Sequence, residues 1–158
     1  MDCTMKLSIA VALVVLACAP AADQKDAALL PEGPGKEIAG RICFDCHDSG
    51  NFRKKRLTSE EWSDSVAEMV ERGAKGTPAE IEAVVGYLAK NFGEGAPVRI
   101  NTAPFAEIKT VLGFTVEEVR ALLAYREKNG AVKSFEELLK VPGIDQAKAE
   151  AQTSRIAF

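Results

Sequence analysis

The clearest chemical signal in this sequence is a run of five residues, Cys43-Phe44-Asp45-Cys46-His47. Their spacing is C-x-x-C-H, the pattern of c-type haem attachment. Two thiols three residues apart on one turn can form thioether bonds with the two vinyl groups along one edge of a haem. The imidazole of His47 then lies under the ring and ligates the iron. The pattern therefore predicts one covalently bound haem c, held by Cys43, Cys46 and His47.

Other chemistries of cysteine and histidine fit the sequence poorly. A structural zinc site needs about four ligands, but the remaining cysteines, Cys3 and Cys18, lie near the N-terminus and His47 is the only histidine. A thioredoxin-like redox pair needs a βαβ context, and no strand pattern surrounds the motif. A Ser/His/Asp triad is excluded because the sole histidine is committed to iron.

The second axial ligand of the iron is predicted to be Met69. It is the one methionine beyond the N-terminal stretch, and a thioether opposite a histidine is the ligand pair of many cytochromes c. The alternative is that Met69 is a core residue of an amphipathic helix. In that case Asn51, Lys54, Lys55 or an empty position remains on the iron.

Helix signals surround the motif. Apolar spacing predicts a helix over residues 35–43 that ends at the motif. Two capping boxes, beginning at Thr58 and Thr77, predict helices that end at Gly73 and Gly93. Between the first two helices runs the basic stretch 53–56, with four cations in a row. We interpret this stretch as a solvated loop, with a docking patch for an acidic partner as the alternative.

These features together resemble the small monohaem cytochromes c of the class I-like type. The resemblance covers about residues 31–93 and rests on the C-x-x-C-H motif, Trp62, Met69, Gly73 and the run 87–89. It implies a cytochrome c haem domain over residues 35–93, in which the last helix crosses the first and closes the haem pocket.

The N-terminus has the features of an export signal. Lys6 is followed by an apolar stretch too short for a comfortable membrane span, so residues 1–22 are predicted to be a signal peptide. Residues 19–21 form an A-x-A cleavage site, while the stretch ending at Cys18 resembles a lipobox with Cys18 as a lipidated N-terminus. Residues 23–34 are predicted to be a tether. The protein is accordingly expected to be exported or periplasmic, with a lipid anchor at Cys18 as its one link to a membrane.

The last third of the chain contains an internal repeat with an offset of 30 residues. The stretch 105–114 aligns with 135–144, and each copy ends in a glycine, Gly113 or Gly143. Each unit is predicted to be a short helix, a tight glycine hairpin and a second helix, capped by Thr115 in the first unit and Asp145 in the second. Residues 94–97 form a short linker before this region, which predicts restricted motion between the two halves.

The stretches 98–103, 124–130 and 141–144 resemble the tandem helix-hairpin-helix domain of the competence DNA-receptor type, over residues 98–158. The resemblance implies Gly-x-Gly hairpins whose backbone amides approach a DNA phosphate. Here Thr115 and Asp145 replace the second glycine of each hairpin, which disfavours DNA, and the same fold also serves as a protein-binding module.

The charge balance of this region gives DNA binding little support. The region holds nine Lys and Arg against eight Asp and Glu, and the whole chain carries a net charge of −3. A module this close to neutral offers no obvious basic stripe. Four cations, Lys109, Arg120, Arg126 and Lys128, nevertheless can cluster, so DNA stays open as a partner.

The sequence as a whole predicts an all-α protein with a haem domain followed by a helix-hairpin-helix module. Its predicted function is that of an exported electron carrier, not an enzyme, whose module docks it to redox partner proteins. Two alternatives remain: a helix-hairpin-helix DNA-binding protein with an accessory haem, and a haem sensor or peroxidase with an open iron site.

Overall fold

The structure, a computed structural model, describes residues 27–158. The predictions for the signal peptide, for Cys18 and for residues 23–26 of the tether lie outside this range. Within it, the chain is mostly helical, with one short strand pair, so the all-α class is right in its coarse form. Among residues 27–158, no helix is both long and apolar enough to cross a membrane.

Within the described residues, the N-terminal half contains the helices α1 Lys36–Cys43, α2 Gly50–Arg53, α3 Ser59–Glu71 and α4 Pro78–Phe92. Both predicted capping boxes are present, at Thr58 with Glu61 and at Thr77 with Glu80. Each box satisfies two backbone amides that would otherwise lack a partner at the helix start.

The core of this half forms where α4 packs against α1 and α3. Trp62 on α3 is buried, and its indole N–H donates to the carbonyl of Phe92 at 3.1 Å. Leu30 and Pro31 are also buried, and the Tyr87 hydroxyl donates to the Pro31 carbonyl at 2.7 Å. The end of the predicted tether is therefore packed against the helices.

The C-terminal half consists of two helix-hairpin-helix units, as the repeat predicts. The elements are strand β1 Val98–Arg99, helices α5 Phe105–Leu112, α6 Val116–Asn129, α7 Phe135–Leu138 and α8 Gln146–Ala151, a 3-10 turn Thr153–Arg155 and strand β2 Ile156–Ala157. The two strands pair in parallel, with Val98 opposite Ile156. Apolar side chains from both units share one core, because neither unit is large enough to bury its own apolar face.

A buried ion-pair cluster joins the two halves and corrects the prediction for the basic stretch 53–56. Arg53 belongs to α2 and is 1% exposed, and its Nε donates to Glu107 Oε2 at 2.8 Å. Arg56 Nη2 donates to the other oxygen of Glu107, also at 2.8 Å, and its Nε donates to the carbonyl of Ala96. Both guanidinium groups also lie over the ring of Phe92. Only Lys54 and Lys55 of this stretch are exposed, so it is not a solvated loop.

Candidate functional sites

The two cysteines, the histidine and the methionine singled out in the sequence line one cavity. Cys43 ends α1, Cys46 and His47 lie in the turn that follows, and Met69 is on α3. The cavity has a volume of about 600 Å³. Much of its wall is apolar, and its other lining residues include Ile42, Phe52, Trp62, Val66, Val70, Val84 and Leu88.

The contacts of His47 and Cys43 define the chemistry available in this cavity. The Nδ1 atom of His47 lies 3.0 Å from the Asp48 carbonyl oxygen. A ring that donates from Nδ1 to a carbonyl keeps Nε2 as a free electron-pair donor, which is how ligating histidines are usually held. Burial raises the pKa of the Cys43 thiol to about 11. This thiol is therefore protonated and a poor nucleophile at neutral pH.

These residues fit a haem, but they do not single out its sixth ligand. Two thiols, an imidazole and a thioether share one largely apolar cavity, which suits an apolar macrocycle with an iron centre. Asn51, Lys54 and Lys55 line the same cavity. Within residues 27–158, no group of three or more His, Cys, Asp or Glu side chains is placed to hold a metal ion.

The second candidate site lies at the two hairpins of the C-terminal half. Gly113 has a φ of 69° and Gly143 a φ of 91°, which are left-handed conformations that glycine adopts without a steric penalty. By contrast, Thr115 and Asp145 have φ values of −67° and −73°. Their backbone therefore does not require glycine.

The side chains of Thr115 and Asp145 turn back onto the helices that they precede. The Thr115 hydroxyl accepts the Glu118 N–H at 3.2 Å, and an Asp145 carboxylate oxygen accepts the Lys148 N–H at 3.1 Å. Both residues are thus N-caps, as predicted. The two side chains were expected to stand in the way of a phosphate, but in the structure each one turns back onto its own helix.

One carboxylate bridges the two hairpins. Glu118 is 4% exposed, and its Oε2 accepts the Thr115 N–H at 2.6 Å while its Oε1 accepts the Asp145 N–H at 3.1 Å. The Lys148 ammonium also contacts Oε2 at 2.6 Å. Burial alone would raise the pKa of Glu118, but the hydrogen bonds from Lys148, Thr115 and Asp145 outweigh it and lower the pKa to about 2.

The structure separates the basic residues of this half into surface and interior groups. Of the four cations predicted to cluster, Lys109, Arg120 and Lys128 are exposed. Arg126 is half-buried and donates to the Ala103 carbonyl at 2.9 Å, and burial and the nearby Arg53 lower its pKa. It therefore holds the fold together and is not free for a ligand.

The charge balance at the surface follows the count in the sequence. Glu107 and Glu118 are buried and paired with cations inside the protein, but Arg126 and Lys148 are also only partly exposed. Six cations and five acids of this half are fully exposed. Its surface is therefore as close to neutral as the sequence count indicates.

Comparisons with known proteins agree on the C-terminal half. Residues 93–156 match the model of the helix-hairpin-helix motif. ComE operon protein 1 of Bacillus subtilis (strain 168) is 37% identical over 71 residues, which are 45% of this chain and 35% of that protein. An uncharacterized protein of Haemophilus influenzae (strain ATCC 51907 / DSM 11121 / KW20 / Rd) is 40% identical over 62 residues, 39% of this chain and 55% of that protein. No solved structure matches significantly.

These findings correct the predicted function. The part of the chain with a matching family model is a helix-hairpin-helix domain, and neither relative is described as a cytochrome or an electron-transfer protein. The prediction of a cytochrome c electron carrier, with a module that docks it to redox partner proteins, is therefore wrong. The matches favour the alternative in which the helix-hairpin-helix domain binds DNA.

Two functional features escaped the sequence analysis. The first is the bridge that Glu118 makes between the hairpins, and the second is the cluster of Arg53, Arg56 and Glu107. The offset of 30 carries a signal for the first, because it makes Glu118 and Lys148 equivalent residues of opposite charge. No local signal exists for the second, since its partners lie 51 and 54 residues apart.

Proposed function

We propose that the helix-hairpin-helix half of this protein binds double-stranded DNA through the sugar–phosphate backbone, without sequence preference. The observation that carries the proposal is the family match over residues 93–156, together with two glycine hairpins of the same geometry in one compact unit. The resemblance to competence DNA receptors supports the same assignment. The matched region covers 35% and 55% of the two relatives, so their roles bear on this half alone.

The arrangement suits contact with phosphates. Tight hairpins let the backbone approach a ligand closely. The side chains of Thr115 and Asp145 turn back to cap their helices, which reduces their steric hindrance, while the exposed Asp145 carboxylate keeps its negative charge. The unit also carries exposed cations, among them Lys109, Arg120 and Lys128. A protein that neutralises phosphates in this way releases counterions from DNA, which makes its affinity fall as salt rises.

The test is a fluorescence polarisation titration of a labelled duplex of random sequence, repeated between about 50 and 200 mM salt. We expect binding whose logarithmic salt slope reports a few phosphate contacts. Scrambling the duplex sequence should leave the affinity unchanged. The absence of measurable binding at the lowest salt concentration would reject the proposal.

A matched pair of variants locates the interface. The double variant Lys109→Glu and Arg120→Glu should weaken binding and flatten the salt slope, since it removes two cations of the helix-hairpin-helix half. Lys75→Glu makes the same kind of charge change on an exposed residue of the other half. If Lys75→Glu weakened binding per charge as much as the double variant, the effect would be one of net charge and the interface would lie elsewhere.

We infer separately that the cavity of the N-terminal half holds one covalent haem c as an accessory group. Cys43 and Cys46 would carry the thioether bonds and His47 would ligate the iron, with Met69 as the second ligand. When bound, the group supplies a redox-active iron. What this chain contributes is the largely apolar wall and the His47 orientation set by the Asp48 carbonyl.

Haem attachment is tested by co-expression with a c-type maturation system, followed by denaturing electrophoresis and mass measurement. We expect a haem-stained band whose mass exceeds that of the polypeptide by one haem. The double variant Cys43→Ala and Cys46→Ala should lose both the haem-stained band and the added mass. A wild-type protein that carries no covalent haem under these conditions would reject the cofactor.

We propose further that the protein acts outside the cytoplasm. The predicted signal over residues 1–22 supports export, and a lipid at Cys18 would hold the protein at a membrane. Cell fractionation of the wild type and of Cys18→Ser tests both statements. An exported protein that stays in the membrane fraction after Cys18→Ser would show that the lipid is not the anchor.

A further inference from the structure

The basic stretch 53–56 divides into two pairs of cations that serve different parts of the molecule. Its two arginines bind Glu107 and join the two halves, so they are committed to the fold. Its two lysines, Lys54 and Lys55, are exposed and line the cavity of the N-terminal half. The contact between the halves therefore accounts for the arginines and leaves the lysines to be explained.

The wall of this cavity carries positive charge and no negative charge. Lys54, Lys55 and Arg72 line it, and none of its described lining residues is Asp or Glu. Arg72 is already paired, since its Nη2 lies 2.5 Å from a carboxylate oxygen of Glu68. Among residues 27–158, no ion pair includes Lys54 or Lys55. Two cations at an otherwise largely apolar wall are thus available to an anionic group of a ligand.

The position of Lys55 shows where these cations lie. Its Nζ donates to Ser65 Oγ at 3.3 Å, and Ser65 lines the same cavity, one helical turn before Met69 on α3. A lysine can lay its aliphatic stem along apolar surface and keep its ammonium near water. Because Lys54 and Lys55 are exposed and also line the cavity, they mark the edge at which its apolar wall meets solvent.

We propose that Lys54 and Lys55 bind the two propionate groups of the haem. A haem presents an apolar ring to such a cavity and two carboxylates at its edge, and a carboxylate beside apolar surface needs a cationic partner. The hydrogen bond from an ammonium to a carboxylate is charge-assisted. No acid among the described lining residues would repel the propionates. This inference rests on the proposed haem attachment and names the residues that orient the ring.

The first test measures the reactivity of the lysine amines. The wild type is expressed with and without the c-type maturation system, and both products are acetylated with an activated ester of acetic acid. Digestion with a protease that cuts at glutamate, followed by mass spectrometry, gives the rate at each lysine. We expect Lys54 and Lys55 to react about three- to fivefold more slowly in the haem-loaded protein, as for ammonium groups in exposed ion pairs.

Lys75 is the internal control for this comparison. It belongs to the same half, is exposed, does not line the cavity and has no ion pair within the described residues. Its rate of acetylation should be the same with and without haem. If Lys54 and Lys55 were slowed no more than Lys75, the inference would be overturned.

A second measurement uses haem-loaded protein alone, so it does not depend on the fold of the haem-free form. Resonance Raman spectra report the bending bands of the haem propionates, which respond to their hydrogen bonds. The double variant Lys54→Gln and Lys55→Gln should shift these bands, whereas Lys75→Gln should leave them as in the wild type. Identical propionate bands in the wild type and the double variant would also overturn the inference.

Haem staining before acetylation separates this inference from the proposed cofactor. A wild type that carries no covalent haem after co-expression with the maturation system rejects the cofactor and the lysine contacts together. A haem-stained wild type in which Lys54 and Lys55 react as fast as in the haem-free protein keeps the cofactor and rejects the lysine contacts alone.

Discussion

Glu107 is the carboxylate on which the contact between the two halves depends. It is 1% exposed and shares its two oxygens between Arg53 and Arg56. A buried ion pair adds little net stability when compared with apolar residues, but removing one partner leaves the others charged and desolvated. The consequence of changing Glu107 is therefore much larger than that of changing a surface glutamate.

We expect Glu107→Ala to lower the free energy of unfolding by about 3–5 kcal/mol, because Arg53 and Arg56 lose their shared counter-ion. Urea unfolding followed by circular dichroism measures this loss. Glu117→Ala, an exposed glutamate of the same half, should change the free energy by no more than about 0.5 kcal/mol. A loss below about 1 kcal/mol for Glu107→Ala would contradict this expectation and mean that the cluster positions the two halves without stabilising the fold.

The same residues show what sequence reasoning can and cannot reach. The capping boxes at Thr58, Thr77 and Thr115 were predictable because both partners lie within four residues of chain. The burial of Arg53 was not predictable, since its partner Glu107 lies 54 residues away in the other half of the chain and four adjacent cations usually form a solvated stretch. Local rules predict helix ends correctly, whereas the burial of a charge depends on contacts between residues that are distant in the sequence.

At the scale of the elements, the bridge that Glu118 makes between the two hairpins should contribute to the free energy of unfolding in a pH-dependent way. The hydrogen bonds from Lys148, Thr115 and Asp145 lower the pKa of Glu118 in the folded protein to about 2, from an ordinary value of 4.5. A group with a lowered folded pKa stabilises the protein above its unfolded pKa, and this stabilisation is lost as the pH falls through the folded pKa. We therefore expect the wild type to lose this contribution between about pH 4.5 and pH 2.

The measurement compares unfolding free energies of the wild type and Glu118→Gln over that pH range. The difference between them should be largest at neutral pH and should shrink toward pH 2, since protonation makes Glu118 resemble glutamine. Glu117→Gln serves as the control and should show no such convergence. A difference between wild type and Glu118→Gln that stays constant with pH would contradict the lowered pKa.

The positions of the helices around the cavity could be predicted from the sequence, but which of their residues line the cavity could not. Trp62, Val66, Met69 and Val70 recur at i, i+4, i+7 and i+8, a spacing that places them on one face of α3, and the structure buries Trp62 and Val66. Val70, however, is 41% exposed, and Met69 is half-buried. Both lie on the cavity wall, so periodicity identified a common face without showing that part of this face borders a cavity.

At the scale of the whole molecule, the Glu107 cluster should make the two halves unfold together. Each half has its own apolar core. The ion pairs and the contacts of Arg53 and Arg56 with Phe92 connect these cores across the short linker. Cooperative unfolding of both halves is expected where contacts between them are strong compared with the stability of either.

Two probes can follow the halves separately. Fluorescence of Trp62, the only tryptophan, reports on the N-terminal half, and hydrogen exchange of residues 98–158 reports on the other. The transitions should coincide in the wild type and separate in Glu107→Ala. Arg72→Ala, which breaks the exposed pair with Glu68, should leave them coincident. Separate transitions in the wild type would show that the halves are independent.

The parallel pairing of β1 with β2 brings the first and last residues of the C-terminal half side by side, with Val98 opposite Ile156. A segment whose two ends lie side by side can be inserted between neighbouring positions of another chain without distorting that chain. The C-terminal half can therefore be joined to other proteins as one unit. The two relatives match this chain over 71 and 62 residues, a length close to that of this half.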